Sequence, residues 1–162
     1  MEGENRRRAE TFVHYTGRVM EMAYIWAHRG ASAYAPENTL EAFKLAVEMG
    51  ADGVELDVHV TRDGALAVCH DENIQRVVGR KGLIRDMTLS ELKEHDFGSL
   101  FPAYRGARMP TLDEVYALLA PTGLTVNVEL KTNVYAYEGI EKKCAECARA
   151  FGMEGRVLYS SF

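Results

Sequence analysis

From Tyr24 onward the chain alternates between two hydrophobic periods. Tyr24-Ile25-Trp26-Ala27 is a short apolar run of strand formers that ends at the turn-prone pair Arg29-Gly30. Leu40, Phe43, Ala46 and Val47 then keep a helical spacing, and Asn38 with Glu41 resembles a capping box at the start of that helix. Gly50 is placed to stop it in the left-handed conformation. Val54 to Val60 alternates strictly, which is the strand period. Asp63-Gly64 is a hairpin turn, and Ala65 to Cys69 is the returning strand.

The stretch from about Asp71 to Met109 is less regular. Within it, Thr88-Leu89-Ser90-Glu91 is a capping box that opens a short helix to about Glu94, and Gly98 to Gly106 reads as loop. Thr111-Leu112-Asp113-Glu114 is a third box, whose helix runs to about Leu119 before Pro121 and Gly123 close it. Leu124 to Lys131 alternates again, Tyr137 to Phe151 is helical in period, and Val157 to Ser160 is a final strand. Strands and helices in this order predict an α/β fold of parallel strands joined by right-handed crossovers. Residues 1–22 lack either period and are expected to form a poorly ordered extension without chemistry. Arg6-Arg7-Arg8 is not followed by the apolar run of a signal peptide, and no stretch has the length of a membrane span.

Composition changes this picture little. The 162 residues are 47% hydrophobic and 27% charged, ordinary for a globular protein with a real core. A net charge of -5 offers no basic excess to displace counterions, which argues against a nucleic acid as partner but not against a small phosphorylated substrate. Cys69, Cys144 and Cys147 make neither a disulfide framework nor a zinc site. They read as small buried side chains in a reducing compartment, which points to the cytoplasm.

The chemistry concentrates at strand ends. Alternation puts Glu55 and Asp57 on one strand face against Val54, Leu56 and Val58 on the other. Asn127, Glu129 and Lys131 share a face in the same way, against Val126, Val128 and Leu130. His28-Arg29-Gly30 closes the first strand, and His70 closes the hairpin's return strand. Three carboxylates converging in a sheet-lined cavity repel one another and raise each other's pKa, and a bound divalent cation removes that penalty. Oxygen ligands favour Mg²⁺ or Ca²⁺ over zinc, with Mn²⁺ also admissible. The plainer alternative pairs one carboxylate with Lys131 or Arg29 and leaves the others to solvent. Taken singly, each histidine reads better as structural; both, however, lie at strand ends. As functional groups they suit proton transfer near neutrality, and Arg29 and Lys131 suit phosphate oxygens.

His28-Arg29-Gly30 followed by Pro36-Glu37-Asn38-Thr39 resembles the opening signature of glycerophosphodiester phosphodiesterases. Gly50 to Val58, Thr61-x-Asp63-Gly64, His70-Asp71 and Glu129-Leu130-Lys131 continue the resemblance in order, with residues 71–109 similar to that family's insertion. The resemblance implies a (β/α) TIM-type barrel over residues 23–162. It implies one divalent metal on Glu55, Asp57 and Glu129, and His28 and His70 as general acid and base. Arg29 and Lys131 would bind phosphate, while Glu37 and Asn38 would shape the first loop. The implied reaction hydrolyses a small glycerophosphodiester to glycerol 3-phosphate and an alcohol. A full barrel takes about 250 residues and eight strands, whereas four barrel strands and a hairpin are counted here. The expectation is therefore the first half of a barrel that self-associates or pairs with a missing C-terminal half. Two further readings stand beside hydrolysis: an inactive metal-binding half barrel, and a phosphodiesterase of the same superfamily acting on lipid headgroups.

Overall fold

The computed structural model describes residues 23–162. The expectation of a poorly ordered extension over residues 1–22 lies outside them. Five strands form one sheet: β1 (Trp26–His28), β2 (Gly53–Val60), β3 (Leu66–Val68), β4 (Thr125–Leu130) and β5 (Val157–Ser160). β1, β2, β4 and β5 are parallel neighbours in that order, and β3 pairs antiparallel with β2. Five helices join them: α1 (Leu40–Glu48), α2 (Gln75–Val78), α3 (Leu89–Lys93), α4 (Leu112–Leu119) and α5 (Ile140–Ala150).

The parallel strands follow chain order across the sheet, and the long crossover helices lie on one face only. Val54, Leu56 and Val58 of β2 and Val126 and Val128 of β4 pack with Phe43 of α1, Val115 and Leu119 of α4, and Ile140 and Cys144 of α5. A doubly wound sheet would reverse its strand order and carry helices on both faces; consecutive order with helices outside is barrel geometry. The described residues form part of such a barrel. The insertion has its own small core, in which Ile74, Val77, Ile84, Leu92, Phe97 and Met109 surround Ala67 and Cys69 of the hairpin.

β2 organises the site. β4 lies along one of its edges from Gly53 to Val58. Along the other edge β1 covers Gly53 to Glu55 and β3 covers Val58 to Val60. Between β1 and β3 that edge is taken by two backbone N–H groups, Arg29 N donating to Glu55 O and Cys69 N to Asp57 O, both at 3.0 Å.

Several boundaries differ from the pattern-based expectation. Thr39, not Asn38, caps α1: its hydroxyl accepts from Ala42 N, one residue later than the Asn38/Glu41 pattern suggests. α5 starts only at Ile140, because Gly139 takes φ 75° and Tyr137 remains in the preceding loop. The capping boxes at Thr88 and Thr111 form as read. Asp63-Gly64 turns the hairpin with Gly64 at φ 85°.

Candidate active site

Asp57 on β2 pairs in register with Glu129 on β4, and Glu55 with Asn127. Two residues of separation along a strand restore the same face, so Glu55, Asp57 and Glu129 project together from the side opposite the helices. One carboxylate oxygen from each lies within 4.8 Å of the others. Asp57 is fully buried, while the side chains of Glu55 and Glu129 are 13% and 15% exposed.

Two cations and one amide surround this cluster. Lys131 Nζ donates to Glu129 Oε1 at 2.7 Å and lies 3.6 Å from Asp57 Oδ1. Burial works against its charge, but the two carboxylates outweigh that and hold its pKa above the usual range. Arg29 Nε lies 3.6 Å from Asp57 Oδ2, which also accepts from Asn38 Nδ2 at 2.8 Å. Glu55 Oε2 accepts from the backbone N–H of Arg29 at 3.1 Å, and His28 Nε2 is 3.7 Å away. Desolvation, followed by the charge of Asp57, pushes the Glu55 carboxyl up to about 7.

The loop after β1 adopts an uncommon backbone to make these contacts. Arg29 and Asn38 take φ 59° and 55°, in the left-handed region that side-chain-bearing residues rarely enter. Gly30 follows at φ 78°, and a Cβ there would meet the Ala42 backbone at 2.8 Å, so only glycine lets the loop lie on α1. Strain held at two residues that both touch Asp57 marks a site whose geometry is maintained against local preference.

Among the described residues, four buried side-chain polar atoms lack a hydrogen-bond partner, and three are here: Arg29 Nε, Asn38 Oδ1 and Asp57 Oδ1. Buried polar groups are normally satisfied, so a cluster of unsatisfied ones asks for a ligand. The oxygen-only donor set, with one buried carboxylate oxygen that accepts no hydrogen bond, fits a hard divalent cation.

The sequence-predicted residues fall into two groups. Glu55, Asp57, Glu129, Lys131, Arg29 and His28 are brought together directly. His70 is not: no hydrogen bond or ion pair joins its ring to the carboxylates among the described residues. Its Nδ1 instead meets Asp71 Oδ1 at 2.6 Å. Cys69 N donates to Asp57 O at 3.0 Å, which fixes the hairpin end carrying His70 beside the acidic strand.

Two residues of this region gave no chemical signal in sequence. Asn38 donates to Asp57, where its pattern suggested a helix cap. His59 is fully buried on the β2 face of Glu55 and Asp57. Its Nε2 bonds the His70 carbonyl and its Nδ1 the Tyr137 hydroxyl, both at 3.2 Å. A carbonyl only accepts, so Nε2 carries the proton, and burial holds the His59 pKa below the usual range. Strand parity with Glu55 and Asp57 was the available clue.

A partial (β/α) barrel whose strands β2 and β4 bring three carboxylates together beside Arg29 and Lys131 defines the class. Residues 28–162 match the model of the Glycerophosphoryl diester phosphodiesterase family, and the chain belongs to that family. It is 46% identical over 137 residues to a glycerophosphodiester phosphodiesterase of Caldanaerobacter subterraneus, covering 84% of this chain and 56% of the relative. A second, from Bacillus altitudinis, is 47% identical over 143 residues, covering 87% and 58%. The crystal structure of glycerophosphodiester phosphodiesterase from Agrobacterium tumefaciens superposes with TM-score 0.78 at 39% identity, covering 87% of this chain and 58% of that one. An Oleispira antarctica phosphodiesterase in complex with the product sn-glycerol-3-phosphate superposes with TM-score 0.72 at 33% identity, covering 86% and 57%. The chain thus spans somewhat more than half the length of these relatives.

Proposed function

We propose that this site hydrolyses glycerophosphodiesters to glycerol 3-phosphate and an alcohol, using one divalent cation, Mg²⁺ or Ca²⁺, held by Glu55, Asp57 and Glu129. The observation that carries the reading is the fully buried Asp57 Oδ1, which accepts no hydrogen bond and faces Lys131 Nζ at 3.6 Å, beside two further carboxylates. Three carboxylates against Arg29 and Lys131 leave one unit of negative charge when all are ionised. A divalent cation converts that to one unit of positive charge, which a phosphodiester monoanion matches. The product complex of the Oleispira antarctica relative supports glycerol 3-phosphate as the product class.

When bound, the cation supplies charge neutralisation for phosphate oxygens as the P–O bond breaks. The chain's own groups do the rest. Arg29, whose Nε makes no hydrogen bond, and Lys131, fixed by Glu129, present two cations to the phosphate. Asn38 and the Arg29 backbone N–H hold Asp57 and Glu55 in place. His70 commits Nδ1 to Asp71, which leaves Nε2 for proton transfer. His28 stands at the open mouth, its side chain 67% exposed. One imidazole takes a proton from the attacking oxygen, of water or of the glycerol 2-hydroxyl, and the other protonates the departing alkoxide. Where the 2-hydroxyl attacks, water then opens the cyclic phosphate to glycerol 3-phosphate.

Release of glycerol 3-phosphate from glycerophosphocholine, with and without chelator, tests the reading. Activity is expected with Mg²⁺ or Ca²⁺, and its loss with chelator or on Glu129→Gln. Release that survives both would refute the assignment; metal binding without release would favour a metal-binding chain that does not turn over.

A further inference from the structure

Arg76 lies in α2, outside the carboxylate cluster, and its guanidinium spans two acidic residues that each hold a different site residue. Nε donates to Asp71 Oδ2 at 2.6 Å. Nη1 and Nη2 donate to Glu37 Oε2 and Oε1 at 2.9 and 2.7 Å, a two-pronged contact. Asp71 uses its other oxygen on His70 Nδ1 at 2.6 Å, and Glu37 Oε1 also accepts from Arg29 Nη1 at 3.2 Å. The groups alternate in order: His70, Asp71, Arg76, Glu37, Arg29. We infer that Arg76 is a positioning residue for the proposed hydrolysis, one planar guanidinium that sets both the His70 ring through Asp71 and the Arg29 side chain through Glu37.

The geometry argues against an incidental surface ion pair. An exposed single pair contributes roughly 0–1 kcal/mol and fixes little. Here each of the three nitrogens of one guanidinium donates to one of two carboxylates that are themselves only 22% and 26% exposed. A rigid planar cation is what can hold two carboxylates at a fixed separation; a lysine ammonium has neither the plane nor the span. The consequence for His70 is chemical. With Asp71 Oδ1 accepting from Nδ1–H, the neutral ring is held as the Nδ1–H tautomer and Nε2 keeps its lone pair, ready to accept a proton from substrate. An imidazole free in water prefers the other tautomer, so the Asp71 orientation decides which nitrogen is basic. Arg76 decides the Asp71 orientation. Burial of Asp71 acts against its charge, but Arg76 and His70 outweigh it and keep the carboxylate ionised. At Glu37 the Arg76 contact is the leading influence in the same direction.

The effect on rate rests on the hydrolytic reading; the effect on the His70 tautomer does not. Two readouts separate them. In the ¹⁵N-labelled, metal-free chain at a pH where imidazoles are neutral, long-range ¹H–¹⁵N correlation is expected to show His70 as the Nδ1–H tautomer. In Arg76→Met the Nε2–H tautomer should become the major form, with Arg76→Lys between the two. The Arg76 side chain is 47% exposed, so its removal leaves no core cavity, and circular dichroism checks that the fold persists. In the glycerophosphocholine assay, Arg76→Met should lower kcat about 10–100-fold, as loss of an outer partner of a site residue does. Arg62→Met, which removes another exposed pair (Arg62 to Glu91, 3.0 Å), should leave it unchanged. Wild-type His70 in the Nε2–H form, or the same tautomer in Arg76→Met as in wild type, would overturn the inference. A wild-type chain that releases no glycerol 3-phosphate would instead refute the hydrolytic reading, with the tautomer measurement still deciding the role of Arg76.

Discussion

At Glu55, burial and the neighbouring carboxylates act in the same direction, and its proton is held to about pH 7 in the absence of metal, against an ordinary 4.5. Between those two values the folded chain binds more protons than the unfolded chain, so stability falls as pH rises through the window and levels off above it. The loss is on the order of 1–3 kcal/mol. Melting curves in chelator are therefore expected to show Tm falling from pH 5 to pH 7.5, and Glu55→Gln should flatten that dependence. An unchanged slope in Glu55→Gln would assign the titration elsewhere. The same proton competes with a cation, so metal affinity should rise over this interval. Asn38 shows why the residue scale was only partly legible. Its Asn-x-x-Glu spacing fits a cap, but the adjacent Thr39 performs that role, and Asn38 turns left-handed to reach Asp57, a contact 19 residues away.

The elements that position the site differ in how deeply their ends are anchored. α4 begins at Thr111, which is 8% exposed, and carries Leu112, Val115 and Leu119 into the main core. α3 begins at the exposed capping box of Thr88. Thr111→Ala should cost about 1–2 kcal/mol and Thr88→Ala nearer 0.5, by urea unfolding, because the lost cap acceptor is replaced by water more readily at an exposed end. Equal costs would mean that burial of the cap has no influence. Both boxes were legible from sequence because a cap is a local pattern. The strict alternation of β2 likewise fixed the shared face of Glu55 and Asp57, since a one-residue slip would bury the wrong set. The pairing of Asp57 with Glu129 followed only once β4 was known to lie beside β2. The role of Arg76 was not legible, because its contact with Glu37 spans 39 residues and no local period announces it. Tyr137 was read as helical because its spacing suits α5, but Gly139 delays that helix and leaves the ring edge-on to His59.

Over the whole molecule, the parallel sheet has one unpaired side on β1 and one on β5 among the described residues. Large apolar side chains cluster there: Tyr24, Ile25 and Trp26 near β1, and Leu158, Tyr159 and Phe162 near β5, are between 38% and 87% exposed. Open edges flanked by apolar groups favour association. Sedimentation velocity is expected to show a mass that rises with concentration above the 18.1 kDa of one chain; a constant 18.1 kDa species at micromolar concentration would contradict this. No helix among the described residues is long and apolar enough to cross a membrane. The acidic cluster does not depend on either outer edge, since its three carboxylates come from the two central strands β2 and β4. Calorimetric titration of the metal-free chain with Mn²⁺ at pH 8 tests this centre most directly. One cation per chain is expected to bind, and Asp57→Asn should abolish the heat; a wild-type chain that takes up no cation, or an Asp57→Asn chain that binds as before, would contradict it.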